Sequence, residues 1–253
     1  MGGALLEGEE GPAILLNEQG KSSYVLICEH ASNHVPTALG SLGLTASDLQ
    51  RHIAWDIGAE NVARILSKLM DAPLILQRYS RLAYDCNRPP ESPQAIPAVS
   101  ETTNIPGNTH LSAAERLARI QQIYRPFHAA VSGVLDTRAA GGQKSVVISI
   151  HSFTPIFKGK PRAVELGILH DRDATFSSSL VKRFPKVDAR LNEPYGPKDG
   201  VLHTLNLHAA PRGLKHAMIE IRNDLVSSTR RQEEWAQRLS VPLIQATAAL
   251  SRS

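Results

Sequence analysis

Four residues of this chain have the types and settings that a hydrolytic metal site requires. His30 ends the apolar run that starts at Tyr24, and His151 ends the run Val146-Val-Ile-Ser-Ile150. Asp56 stands at the start of an amphipathic helical stretch. Glu220 lies near the end of a third run, His216-Ala-Met-Ile-Glu-Ile221. A catalytic zinc takes three N/O ligands and keeps one position open. His30, Asp56 and His151 meet that count. Glu220 remains as a carboxylate that would take a proton from metal-activated water, and a buried strand around it would raise its pKa towards neutrality. Glu29 is an alternative carboxylate ligand, although adjacent strand positions point it away from His30. The bland alternatives stay open, because the spacings are long. Each histidine could be a hydrogen-bonded structural side chain, and Asp56 could be a plain helix cap.

A second patch, Tyr79-Ser-Arg-Leu-Ala-Tyr-Asp-Cys-Asn-Arg-Pro-Pro90, gathers Arg81, Asp85, Asn87 and Arg88 beside a turn. Guanidinium forks hold carboxylates in bidentate fashion, so Arg81, Asn87 and Arg88 are candidates for a substrate carboxylate. A surface salt-bridge cluster is the alternative. His128 and His208 are further polar candidates. His52, His110, His170 and His216 read as structural. Rival chemistries lack their signatures. No G-x-S-x-G elbow is present. Cys28 lies inside an apolar run, a poor place for a nucleophile. Neither a GxGxxG nor a P-loop appears, which argues against a nucleotide cofactor.

The elements that must position these residues alternate between strand and helix. Strands are expected over 23–29, 73–77, 145–150, 163–169 and 216–221. A short helix follows Thr45, with Asp48 in capping-box spacing. A clear helix covers 56–70, with Ala59, Val62, Ala63, Leu66, Leu69 and Met70 as its apolar stripe. Residues 89–110 hold five prolines and read as a long loop, either functional or mobile. A helix over 111–139 is expected to kink at Pro126 and to bury Leu117 among others. Shorter helices fit 174–184 and 200–209. The last helix, 229–250, offers Trp235, Leu239, Leu243 and Ile244 to the core. Residues 1–22 are Gly-rich and acidic and read as a loosely attached lead-in to one domain over 23–253. With no repeat and no linker, a single α/β layer sandwich is the simplest architecture, and open α/β sheets carry their chemistry at the carboxyl edge of the strands.

The chain has 253 residues, 42% of them apolar, and a formal charge of +4. No basic run with interleaved aromatics suggests nucleic acid, and no apolar run approaches the roughly 20 residues that span a bilayer. The acidic opening lacks a secretory pattern, so a cytoplasmic setting is expected. Cys28 and Cys86 form no C-x-x-C pair and read as small buried thiols.

Taken together, several motifs occur in one order: Cys28-Glu-His-Ala-Ser-Asn-His-Val-Pro36, Trp55-Asp56, Tyr79-Ser-Arg81, Asp85-Cys-Asn-Arg-Pro-Pro90, Tyr124-Arg-Pro-Phe-His128, Ser149-Ile-His-Ser-Phe153 and Ile219-Glu-Ile-Arg222. The set resembles the N-formylglutamate amidohydrolase (N-formylglutamate deformylase) family over about residues 23–226. It departs from that family's Pro-His-Ser-Gly at Glu29-His-Ala-Ser32, as a divergent branch would. The resemblance implies a single-domain three-layer α/β/α sandwich with a mixed, mostly parallel sheet, of the phosphorylase/hydrolase-like, zinc-exopeptidase-like kind. It implies Zn2+ or another divalent metal on His30, Asp56 and His151, with Glu220 as general base. It implies hydrolysis of the N-acyl amide of a small N-acyl amino acid such as N-formylglutamate. Arg222 and Asn223 after the late glutamate are a further departure from the family, and Arg222 is this chain's own candidate to stabilise the oxyanion. A more distant similarity is to zinc N-acetylmuramoyl-L-alanine amidases, which keeps a wall amidase or a carboxypeptidase-like hydrolase open as alternatives, together with a non-catalytic ligand-binding protein that retained the fold. No nucleic-acid or membrane partner is implied.

Overall fold

The computed structural model describes residues 5–250. Among them, seven strands form one sheet: β1 (Ala13–Leu16), β2 (Tyr24–Cys28), β3 (Leu74–Gln77), β4 (Val146–Phe153), β5 (Leu166–Leu169), β6 (Ala189–Leu191) and β7 (Lys215–Arg222). Their order is β1-β3-β2-β4-β7-β5-β6. The central four are parallel, while β1 and the β5–β6 pair run against them. Every residue of β2, β3 and β4 is buried, as continuous apolar strands covered on both faces must be.

Alternation along the strands sorts side chains to two helical layers. Leu26, Ile148 and Ile219 face α2 (Ala59–Met70), α5 (Thr175–Val181) and α7 (Thr229–Leu250). Val25, Val147 and Met218 face the layer holding α4 (Arg125–Ala140) and α6 (His203–His208). The architecture is therefore a three-layer α/β/α sandwich with a mixed, mostly parallel sheet. Among the described residues no helix is long and apolar enough to cross a membrane.

Several sequence expectations change. The lead-in is not loose: Ala13 to Leu16 pair antiparallel with Gln77 to Leu74, because an apolar tetrapeptide covers the otherwise open edge of β3. Residues 1–4 lie outside the described residues. The kink expected at Pro126 takes the form of a π-helical segment, Ile120–Tyr124, that joins α3 (Ala113–Arg119) to α4. Proline supplies no N–H to the helical ladder, and a wide turn absorbs the mismatch. Leu69, Leu117 and Ile244 are exposed rather than packed. The short helix α1 (Ala46–Leu49) has the expected Thr45–Asp48 capping box.

Residues 89–110 are held in place. Asn108 donates to the carbonyls of Leu82 and Pro97, and the buried Arg119 donates to Ala83 O and Asn108 Oδ1. Burial lowers the pKa of Arg119 to about 10.

α2 begins at Ala59, not at Asp56, because Gly58 turns the chain in a left-handed conformation with φ +81°. A Cβ at Gly58 would meet Val226 O at 2.5 Å. This turn frees Asp56 from the helix and aims its carboxylate at the sheet edge. Replacing Gly58 with alanine combines the left-handed penalty with a backbone clash, and we expect a loss of about 2 kcal/mol or more. Thermal unfolding measures it, and an unchanged Tm would show that this turn imposes no strain.

Candidate active site

The parallel pairing of β4 and β7 sets Glu220 opposite His151. Val147, Ser149 and His151 alternate onto the α4 face of β4, and Met218 and Glu220 onto the same face of β7. The two polar side chains therefore sit side by side near the carboxyl ends of adjacent strands. β4 runs to Phe153, so His151 is still a strand residue. His30 follows β2, the other neighbour of β4. Its carbonyl accepts from the Asp56 N–H at 2.9 Å, which fixes the chain entering α2 to the end of β2.

Three ligand-type atoms converge here. His30 Nδ1 lies 3.3 Å from Asp56 Oδ2, and His151 Nδ1 lies 2.8 Å from the same oxygen. The far nitrogens are occupied: His30 Nε2 is 2.8 Å from Asp85 Oδ1, and His151 Nε2 is 3.0 Å from Glu29 Oε2. A carboxylate only accepts, so each Nε2 carries a proton and each neutral ring turns an acceptor Nδ1 towards Asp56. Two acceptor nitrogens then face one anionic oxygen. An imidazolium proton on each ring relieves this, and so does one cation among the three atoms. Among the described residues this is the group of His, Cys, Asp and Glu side chains with metal-site spacing, all ligand atoms lying within 4.8 Å. Imidazole and carboxylate donors with outer carboxylates on the histidines suit zinc.

Without a cation the site answers this charge with a proton: burial opposes it, but Glu29 and Asp56 hold the His151 pKa well above the usual imidazole range. Burial works to raise the Asp56 and Asp85 carboxyls, but His30 and His151 hold Asp56 well below the usual range, and Arg81 and His30 do the same for Asp85. Glu29 is likewise opposed by burial, yet His151 and Ser149 bring it to about 2. Its second oxygen, Oε1, is buried without a hydrogen-bond partner among the described residues. Glu220 differs. Burial raises its carboxyl to about 7, and its Oε2 has no hydrogen-bond partner among the described residues. A carboxyl poised near neutrality suits proton transfer in both directions.

His30, Asp56, Asp85, His151 and Glu220 line a cavity of about 570 Å³. The loop 89–110 supplies one wall through Pro93 to Glu101. Arg81, Asn87 and Arg88 also line it, but they are differently engaged. Arg81 is bound to Asp85 at 2.7 Å and reaches Asp56 at 3.5 Å. The Asn87 amide is spent on Val201 O and the Thr204 N–H. Arg88 donates to the carbonyls of Asn87 and Gly200 and makes no ion pair among the described residues.

Three other sequence candidates lie apart from the cavity lining. His128 and His208 bond to each other at 2.8 Å, and His128 Nε2 donates to Cys86 O. Burial lowers their pKa values to about 3 and about 4. Arg222 is paired with Asp224 at 2.8 Å and donates to the carbonyls of Arg162 and Ala163.

Sequence reasoning missed His52 and Tyr195, both of which line the cavity. The sequence reads His52 as structural, yet its Nδ1 stands 3.7 Å from Asp56 Oδ1; burial lowers its pKa to about 4. Its spacing of four residues from Asp56 was the one available signal. Tyr195 carried none. In the sequence Asp85 is only part of a charged patch, and its bond to His30 is a tertiary fact.

No curated protein sequence matches this chain. Gene product Atu2144 from Agrobacterium tumefaciens has a crystal structure that superposes with TM-score 0.95 at 47% identity, covering 97% of this chain and 98% of that one. The N-formylglutamate amidohydrolase from Ralstonia eutropha JMP134 superposes with TM-score 0.67 at 18% identity, covering 96% of this chain and 100% of that one, and so shares the fold. A family model described as N-formylglutamate amidohydrolase matches residues 22–227. This chain belongs to the N-formylglutamate amidohydrolase family.

Proposed function

We propose that this protein is a metal-dependent amidohydrolase that removes the N-acyl group, an N-formyl group above all, from an amino acid such as glutamate. The observation that carries the reading is the convergence of His30 Nδ1, Asp56 Oδ2 and His151 Nδ1 beside a partnerless, near-neutral Glu220. Zinc or another divalent metal held by His30, Asp56 and His151 would polarise the acyl carbonyl and acidify water. Glu220 accepts a proton from the attacking water and passes it to the departing nitrogen. Asp85 and Glu29 fix the two imidazole rings in the tautomer that presents Nδ1.

The substrate end of the cavity fits an anion. Arg88 lacks a carboxylate partner, and Lys158, also lining the cavity, has its ammonium 5.4 Å from the Phe157 ring centre. An N-acyl diacid presents two carboxylates to these two cations. Arg81, with both of its acidic partners satisfied, holds the metal-side carboxylates in place rather than the substrate.

Elemental analysis and a hydrolysis screen of N-formyl and N-acetyl amino acids test this reading. Glu220→Gln is expected to retain metal while kcat falls by about 10²- to 10⁴-fold; unchanged turnover would remove Glu220 from the chemistry. Chelation is expected to abolish hydrolysis, and zinc to restore it. Full activity in metal-free protein defeats the metal mechanism. Asp85→Ala removes the acceptor from the His30 Nε2–H and is expected to weaken metal affinity by about 10- to 100-fold. Competition with a chromogenic chelator reads this change, and equal affinity would show that Asp85 does not orient His30.

A further inference from the structure

The guanidinium of Arg222 is committed away from the cavity, which leaves charge on the acyl oxygen without the donor expected from the sequence. Its contacts point to another. Arg222 Nη1 donates to the carbonyls of Arg162 at 3.2 Å and Ala163 at 2.9 Å, while Nε holds Asp224. It pins the backbone that carries Arg162. The Arg162 guanidinium lies 4.5 Å from the Phe157 ring centre and 4.7 Å from that of Tyr195. Its Nη1 donates to Tyr195 Oη at 3.0 Å and to Thr154 O at 3.4 Å. Arg162 has no carboxylate partner among the described residues. A cation flanked by rings and bonded to a phenol keeps its field directed at that phenol.

Tyr195 lines the same cavity as Asp56, His151 and Glu220. Its oxygen accepts from Arg162, and its own O–H finds no acceptor among the described residues. Burial, with the Glu220 charge adding to it, raises the phenol pKa further, although Arg162 opposes the shift. The proton therefore stays on the hydroxyl at neutral pH.

We infer that Tyr195 is a catalytic residue of this site: its hydroxyl donates a hydrogen bond to the acyl oxygen as the carbonyl becomes tetrahedral, with Arg162 polarising the phenol. The inference rests on the hydrolytic reading above. The water oxygen bonds to the acyl carbon, one of its protons passes through Glu220 to the nitrogen, the C–N bond breaks, and the second proton follows from the nascent acid to the amine, giving carboxylate and ammonium. Tyr195 keeps its proton throughout. Arg162 and Arg222 are positioning residues, the first for the phenol and the second for the backbone beneath Arg162.

The test uses zinc-loaded protein with N-formylglutamate, extended to other N-formyl and N-acetyl amino acids. Tyr195→Phe removes one oxygen and is expected to lower kcat by about 10²- to 10³-fold, with KM within about threefold and metal content unchanged. An interaction made only in the transition state lowers kcat and kcat/KM together. Arg162→Ala is expected to lower kcat less, Arg162→Lys to recover part of the loss, and the double variant to be no slower than Tyr195→Phe alone. A Tyr195→Phe protein that keeps its kcat, or loses only in KM, overturns the inference and leaves the hydrolytic reading standing. Wild-type protein that is loaded with zinc and hydrolyses none of these amides overturns both.

Discussion

Asp56 Oδ2 is the atom on which the site depends. Two imidazole nitrogens approach it at 3.3 and 2.8 Å, and a backbone N–H from Ser152 reaches it at 3.2 Å. With Asp85 and Glu29 taking the outer protons of the rings, both inner nitrogens are left as acceptors. Three electron-rich atoms cannot be buried against one another without a positive centre. A proton on His151 supplies part of it, and a divalent ion among the three atoms would supply it without charging His30 as well, whose ring centroid lies 4.7 Å from that of His151. The same constraint explains the crowd of buried carboxylates, whose charge Arg81 alone does not balance.

The fold meets that constraint with rigid parts. His151 and Glu220 come from adjacent parallel strands in fixed register, so their separation is set by the sheet and not by a loop. Asp56 is delivered by the turn at Gly58 and tied to the end of β2 through the His30 carbonyl. Ser149 Oγ donates to Glu29 Oε2 at 2.6 Å, so even the outer carboxylate is held by strand residues. Groups held on strands are positioned more tightly than groups on loops.

The cations around the cavity divide by partner. Arg81 is absorbed by Asp85 and Asp56 and acts within the protein. Arg88 and Arg162 have carbonyl or phenol partners only. A guanidinium without a counter-ion at a cavity wall keeps its field for what enters the cavity. Side-chain type alone could not separate these roles, since each is an arginine near polar sequence.

Much of this was legible from residue order. Apolar runs at 24–28, 146–150 and 216–221 imposed buried strands, and histidines or a glutamate at their ends marked the sheet edge, because a polar group is tolerated there and not in the middle. That logic led to His30, His151 and Glu220, and the amphipathic stripe after Asp56 located α2. The strand at 13–16 escaped notice because four apolar residues in a Gly-rich, acidic context have too little period to read. The surface positions of Leu69, Leu117 and Ile244 escaped it because periodicity gives a face, not the width of what covers it. What the tertiary structure alone decided was partnership. Asp85 finds His30 across 55 residues, Glu29 finds His151 across 122, and Arg162 finds Tyr195 across 33. Local sequence fixes which atoms a side chain offers; which of them remain free for substrate or metal depends on neighbours that only chain folding brings within 3 Å.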